Sequence, residues 1–304
     1  MKPVAASTAY LLISHGSRDP RPQAAMERLS GMLRSYLEDS LKTASAVSER
    51  SDSDRKVELT CANSGLPGTS KRAGGTSVLA RPRSQRQEEK QEQPSESVAP
   101  LPQQVIVGTA CLELATLPLC EQIYEFAQSL ILSGVHELKL LPVFLLRGVH
   151  VMEDIPEEIE KARKLIGNSL KLTVCPHLGS HPRIGEVLAQ RLATVPAEGS
   201  LLVAHGSRRP KGNLVVQGLA KRLNTAVAYW STPPDIETQA IALMQQGCQK
   251  LTILPYFLFA GGITDAIAHR TEELAERFPK IQFRLLPTLG ATQEVAKLAL
   301  DLIH

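Results

Sequence analysis

Leu11-Leu12-Ile13-Ser14-His15-Gly16-Ser17-Arg18 recurs in the second half of the chain as Leu201-Leu202-Val203-Ala204-His205-Gly206-Ser207-Arg208. Each copy is a short run of aliphatic residues followed by His-Gly-Ser-Arg. An unbroken apolar run of this length reads as a strand buried on both faces, the kind found in parallel sheets. The glycine then marks a turn. Two further stretches repeat in the same order: Leu141-Pro142-Val143-Phe144-Leu145 as Leu254-Pro255-Tyr256-Phe257-Leu258, and Cys175-Pro176-His177-Leu178-Gly179 as Leu286-Pro287-Thr288-Leu289-Gly290. Three ordered correspondences indicate an internal duplication.

Outward from these anchors, short apolar runs alternate with longer amphipathic segments, as βα units do. Strands are expected at Tyr10–Ser14, Val105–Thr109, Glu137–Leu141, Leu170–Cys175, Leu201–Ala204, Ala226–Tyr229, Leu251–Leu254 and Gln282–Leu285. Helical patterns follow, among them Leu119–Ser133, Ile155–Leu165 and Ile263–Phe278. Eight βα units are compatible with a closed barrel, but the duplication favours two separate sheets. The expected fold is therefore α/β, with two tandem flavodoxin-like, doubly wound parallel-sheet domains. The expected divisions are 1–195 and 197–304, with an insert at about 43–103 in the first.

The insert stands out by composition. Thr43 to Gln103 is rich in Ser, Gln, Arg, Glu, Pro and Gly and lacks Phe, Trp, Tyr, Ile, Met and His. Such a segment cannot bury enough apolar surface to offset its ordering entropy, so it reads as a disordered loop. The chain as a whole is ordinary for a globular protein, with 43% hydrophobic and 21% charged residues. A net charge of +3 gives no reason to expect a nucleic-acid partner. No apolar run approaches the roughly 20 residues that span a bilayer, and with the first strand expected from Tyr10 no signal peptide is expected. The five cysteines, Cys61, Cys111, Cys120, Cys175 and Cys248, form no C-x-x-C pair. That argues against an iron–sulfur or structural zinc site and fits a reducing compartment. The expected location is the cytoplasm, with no membrane partner.

In a sheet of strand order 2-1-3-4, ligands bind beyond the carboxyl ends of the strands near the switch point. His15 follows strand 1, Glu113 lies just past strand 2, and His150 sits in the loop after strand 3. All three are expected at one sheet edge. Two imidazoles are good ligands for first-row divalent ions, and so few ligands leave coordination positions open. A carboxylate beside them can accept protons. The set suits metal-assisted hydrolysis, or metalation of a macrocycle whose ring N–H groups must lose protons. A Gly-Ser turn entering a helix also suits a phosphate. Glu153 and Asp154 read first as acids favoured by a helix dipole and second as guides for a cation. His181 reads as a helix N-terminal residue, with substrate contact second, and His136 and His269 as surface residues.

His-Gly-Ser-Arg-Asp-Pro-Arg from His15, Cys-Leu-Glu-Leu from Cys111, and Phe-Leu-Leu-Arg-Gly-Val-His-Val-Met-Glu-Asp-Ile-Pro from Phe144 resemble the sirohydrochlorin chelatases of the CbiX/SirB type, in their long two-domain form. The resemblance covers both halves and omits the insert. It implies ATP-independent insertion of Fe2+, or Co2+, into sirohydrochlorin, with the metal as a substrate and no organic cofactor. It implies metal binding and proton handling by His15 and His150, and ring deprotonation assisted by Glu113. The substrate's many carboxylates make Arg18, Arg147 and Arg208, together with His205, the expected substrate-binding residues.

The halves are not chemically equal. Aligning Phe144 with Phe257 sets Ile263 opposite His150, and aligning Pro118 with Pro234 sets Tyr229 opposite Glu113. Thr288 and Thr292 oppose His177 and His181. The second half therefore keeps His205 alone, and the chemistry is expected in the first. Trp230 reads as a core residue or a stacking surface. Two other functional classes stay open at this point: a tetrapyrrole or metal carrier without turnover, and a phosphate-ester hydrolase.

Overall fold

The computed structural model describes residues 8–61, 105–209 and 211–304, with the backbone alone for 44–61. The chain divides into two compact units, one of Met1–Asp39 with Gln104–His304 and one of Ser40–Gln103. The first unit holds two four-stranded parallel sheets. The strands β1 (Thr8–Ser14), β2 (Ile106–Cys111), β3 (Glu137–Pro142) and β4 (Lys171–Val174) form one, in the order β2-β1-β3-β4. The strands β5 (Gly199–Ala204), β6 (Ala226–Tyr229), β7 (Lys250–Pro255) and β8 (Gln282–Leu285) form the other, in the order β6-β5-β7-β8. The duplicated sequence thus folds twice into the same topology.

Both faces of each sheet are covered. Along β1, Leu11 and Ile13 pack with the helices α2 (Leu119–Leu132) and α3 (Ile155–Ile166), while Tyr10 and Leu12 point to the opposite side. This period of two explains why the strand is apolar at every position. The second core is continuous between the halves. It joins Tyr10 and Leu12 to Leu202 and Leu254, together with buried residues of α1 (Pro20–Cys61), α4 (Ile184–Ala193), α5 (Leu214–Leu223) and α8 (Gln293–Ile303). The helices α6 (Ile236–Gln245) and α7 (Gly262–Arg277) cover the far face of the second sheet through Ile236, Ala240, Ile267 and Leu274. Polar ties reinforce the shared core. Lys139 donates to the carbonyl of Ile303, and Arg191 donates to the carbonyls of Thr288 and Leu289.

Two expectations change. The helix α1 continues to Cys61, so the segment read as a loop from Thr43 is helical at its start. No proline or glycine interrupts the sequence between Gly31 and Gly65, and the Ala, Glu, Lys and Leu there favour helix whatever the segment buries. The rest of the insert, 62–103, lies outside the described residues. Trp230 is not a core residue: it is exposed at the end of β6.

Candidate active site

The strand ends of β1, β2 and β3 carry the expected residues to one place. Leu112 N–H donates to Ser14 O at 2.8 Å and Glu113 N–H to His15 O at 2.9 Å, extending the β1–β2 ladder beyond the strands. Gly16 makes this possible. Its φ is +96°, and a Cβ there would stand 1.9 Å from the Glu113 carbonyl oxygen. Any side chain at position 16 would force the His15 and Glu113 backbones apart. His150 arrives from the third strand by a loop that ends in a single π-turn, His150–Asp154, in which the N–H of Ile155 bonds to the His150 carbonyl. Such widened turns are common where a helix serves a site.

The side chains converge. His15 Nε2 lies 3.1 Å from His150 Nε2, and the rings meet edge to face with centroids 4.6 Å apart. Glu113 Oε2 lies 3.9 Å from His15 Nε2. One ligand atom from each of the three falls within 4.8 Å of the others, the one such group of His, Cys, Asp and Glu found among the described residues. Two nitrogens each about 2.1 Å from a common ion span at most about 4.2 Å, so the 3.1 Å between the two Nε2 atoms is within the span of one ion. His15 and Glu113 are each about half exposed, which leaves the remaining coordination positions open. The Phe144 ring sits beside both imidazoles at 6.4 and 6.3 Å.

His150 is held from behind. Its Nδ1 lies 2.7 Å from Asp154 Oδ2, so the proton on that nitrogen is given to the carboxylate and the Nε2 lone pair faces the site. His15 Nδ1 lies 3.3 Å from the Gly16 carbonyl, which can only accept, so His15 carries its hydrogen there and its Nε2 also faces the site as a lone pair. Asp154 is the residue that sequence reasoning undervalued. The spacing of four from His150 was the available signal, but it carries meaning only if the helix reaches back to His150, and a start at Ile155 conceals that.

A cavity of about 470 Å3 opens beside His15, lined also by Gln23, His205, Phe257, Phe259 and Ile263. His205 of the second half thus shares a chamber with His15 of the first. Arg18, Arg147 and Arg208 are exposed and do not line it; the Arg147 guanidinium donates to the Met152 sulfur. His177 is half-buried, and burial, with Arg147 nearby, pushes its imidazole below the usual value. His181 is buried, with Nδ1 accepting from Arg183 N–H and Nε2 3.5 Å from Asp301, a structural position at the start of α4. Thr292 caps α8 from the matching place.

The second half departs from the first differently than expected. Trp230 N–H donates to Ala204 O and Ser231 N–H to His205 O, mirroring Leu112 and Glu113. Ser231, not Tyr229, therefore stands opposite Glu113, and Tyr229 pairs in register with Ala204 as Cys111 does with Ser14. The proline used for alignment misled because the connection from strand end to Pro234 is two residues shorter than that to Pro118.

The sequence matches the CbiX family twice, over residues 83–195 and 199–304. The chain belongs to that family. Both halves of this CbiX-family chain carry the match, although β1 and His15 precede the first of the two segments. It is 27% identical to a sirohydrochlorin ferrochelatase of Priestia megaterium, over 54% of this chain and 65% of that protein. A sirohydrochlorin cobaltochelatase of the same organism is 24% identical, over 52% and 56% respectively. The chain thus spans between about half and two thirds of the length of these curated relatives. The structure of SirB from Bacillus subtilis with Fe3+ superposes with a TM-score of 0.61 at 18% identity, covering 98% of this chain and 94% of the other. At that identity the likeness is one of fold.

Proposed function

We propose that this CbiX-family protein inserts a divalent metal, Fe2+ or Co2+, into sirohydrochlorin, without ATP or an organic cofactor. The observation that carries the reading is the convergence of the His15 and His150 Nε2 atoms with the Glu113 carboxylate beside an open cavity. The named relatives act on sirohydrochlorin with iron or cobalt, which supports the substrate class. The two halves, 1–195 and 197–304, serve as chelatase-like units, the second with a degenerate site.

In this reading the metal enters as a substrate on the two imidazole Nε2 lone pairs, with the imidazole hydrogens held at Nδ1 by Gly16 O and Asp154. Two protons leave the ring nitrogens as two ring–metal bonds form. Glu113, 3.9 Å from His15 Nε2 and half exposed, takes up the ring protons one at a time as the general base and releases each to solvent. Phe257, Phe259 and Ile263 give the macrocycle apolar contact from the second half, and His205 faces it there. Arg18, Arg147 and Arg208 meet the peripheral carboxylates at the rim. No helix among the described residues is long and apolar enough to cross a membrane, and the cytoplasm is the proposed location.

The test is a spectrophotometric assay of the full chain with sirohydrochlorin and Fe2+, Co2+ or Ni2+ in turn. Many turnovers per protein with one of these ions are expected. Stoichiometric binding with no turnover would make the protein a tetrapyrrole carrier, and binding of phosphate in place of tetrapyrrole would return the hydrolase reading.

A further inference from the structure

We propose that Asp154 is the positioning residue that fixes which nitrogen His150 presents to the metal. The proposal rests on the metal-insertion reading of the site. Three observations support it. The Asp154 carboxylate lies 2.7 Å from His150 Nδ1, a distance typical of a charge-assisted hydrogen bond. The π-turn that brackets the two residues, closed by the Ile155 N–H on the His150 carbonyl, holds both on the same turn of backbone. The opposite nitrogen, Nε2, points at His15 Nε2. A neutral imidazole that donates its Nδ1–H to a carboxylate presents Nε2 as a lone pair.

The internal repeat adds an independent argument. The buried stripe of α3, Ile155, Ile159 and Ala162, matches that of α7, Ile267, Thr271 and Leu274, so His150 falls on Gly262, not on Ile263, and Asp154 on Ala266. The second half has replaced both members with residues that carry no polar side chain, while Ile267 is buried as its counterpart Ile155 is. An acid kept only as a first-turn charge for the helix dipole would serve α7 as well as α3. A first-turn acid does remain on α7, as Asp265. The position four after the histidine is the one that lost its carboxylate along with the imidazole.

The test uses the full chain in two steps. The first is the imidazole tautomer of His150 in metal-free protein, read from 15N–1H correlations at a fixed neutral pH. The Nδ1–H form is expected in the wild type and its loss in Asp154→Ala. The second is direct titration with Co2+ followed by its visible absorption, with no tetrapyrrole present. Asp154→Ala should bind Co2+ about 10–100-fold more weakly, the usual cost of removing such a partner. Asp154→Asn, whose amide oxygen can still accept, should fall between. Both variants should keep one cooperative thermal transition, because Asp154 is partly exposed and packs no core. In turnover, the KM for metal should rise while the KM for sirohydrochlorin holds. An unchanged tautomer, or a Co2+ affinity within twofold of the wild type, overturns the proposal. An Nδ1–H signal in a wild-type protein that binds no Co2+ overturns the metal reading beneath it while leaving the hydrogen bond standing.

Discussion

His150→Ala removes one of two imidazole nitrogens that stand 3.1 Å apart, and His15 with a half-exposed carboxylate is then left to hold an ion alone. The residue sits in a π-turn and contributes no buried side chain, so metal insertion should be lost while the thermal transition stays close to wild type. Near-normal turnover in that variant would take His150 out of the site. Glu113→Gln keeps shape and hydrogen-bonding capacity but removes the base. Steady-state kinetics should show kcat down by roughly 10²–10⁴-fold, the range for a general acid–base group, with tetrapyrrole binding little changed. An unaltered kcat would leave Glu113 with a merely structural part in the loop. Gly16→Ala is a third case at this scale. The added Cβ would overlap the Glu113 carbonyl at 1.9 Å in a positive-φ position, so both stability and activity should fall. A variant as stable and active as the parent would show that the loop yields without cost.

At this scale the sequence was legible where a residue's position depends only on which strand it follows. His15, Glu113 and His150 were placed by topology alone. Asp154 was not, because its meaning depends on where a helix begins, and boundaries set by a π-turn leave no mark in periodicity. Tyr229 stands opposite Glu113 in the sequence alignment because the connection from strand end to proline differs in length between the halves, and only the ladder bonds to Ala204 and His205 reveal Ser231 as the counterpart.

Among the elements, the start of α1 and the start of α7 are tied by Arg21. Its guanidinium bonds to Asp19 and reaches Asp265 in the first turn of α7 at 2.5 and 2.9 Å. Gly261, just before α7, lies against Pro22 and Asp19, so this clasp sits where the two halves meet at the cavity lined by Pro22 and Gly261. The Arg21 hydrogen bonds hold the Asp19 carboxyl down at about 2, and they lower Asp265 too. A depressed folded value means that the stabilisation is complete above the unfolded value of about 3.9 and is lost as pH falls through about 2. Arg21→Ala should therefore lower the melting temperature modestly at pH 7, since exposed pairs are weak, and the difference from wild type should vanish near pH 2. A gap that persists in acid would mean that Arg21 acts by packing. The strands themselves were legible to within a residue or two, because burial on both faces leaves a plain apolar run. The length of α1 was not, because its distal part is polar and only local propensity marks it as helical.

For the whole molecule, every proposed site residue lies in the unit formed by Met1–Asp39 and Gln104–His304. Replacing 43–103 by a short flexible linker should therefore leave metal insertion intact, with a cooperative melt. Loss of that melt would show that the segment packs where its composition argues against it. The inequality of the halves predicts a second contrast. His15→Ala should cost far more activity than His205→Ala, since His205 has Ser231 where His15 has Glu113, and Gly262 where it has His150. Equal losses would mean that His205 also acts on the metal.

The insertion between α1 and β2 also bears on how the chain reaches its native state. In the first half, Ser14 meets Cys111 across 97 residues of sequence, whereas in the second half His205 meets Ser231 across 26. In polymer terms, closing the longer loop costs about 1 kcal/mol more, since each doubling adds about 0.6. Non-local pairing of this kind also slows folding. The second half, which lacks counterparts of Glu113 and His150, should therefore acquire protected amides first in pulsed hydrogen exchange. Through the shared core of Leu202, Leu254 and Val216 with Leu12 and Met26, it would offer a finished surface on which the slower half condenses. The copy that gave up chemistry would then have kept an employment as a folding template.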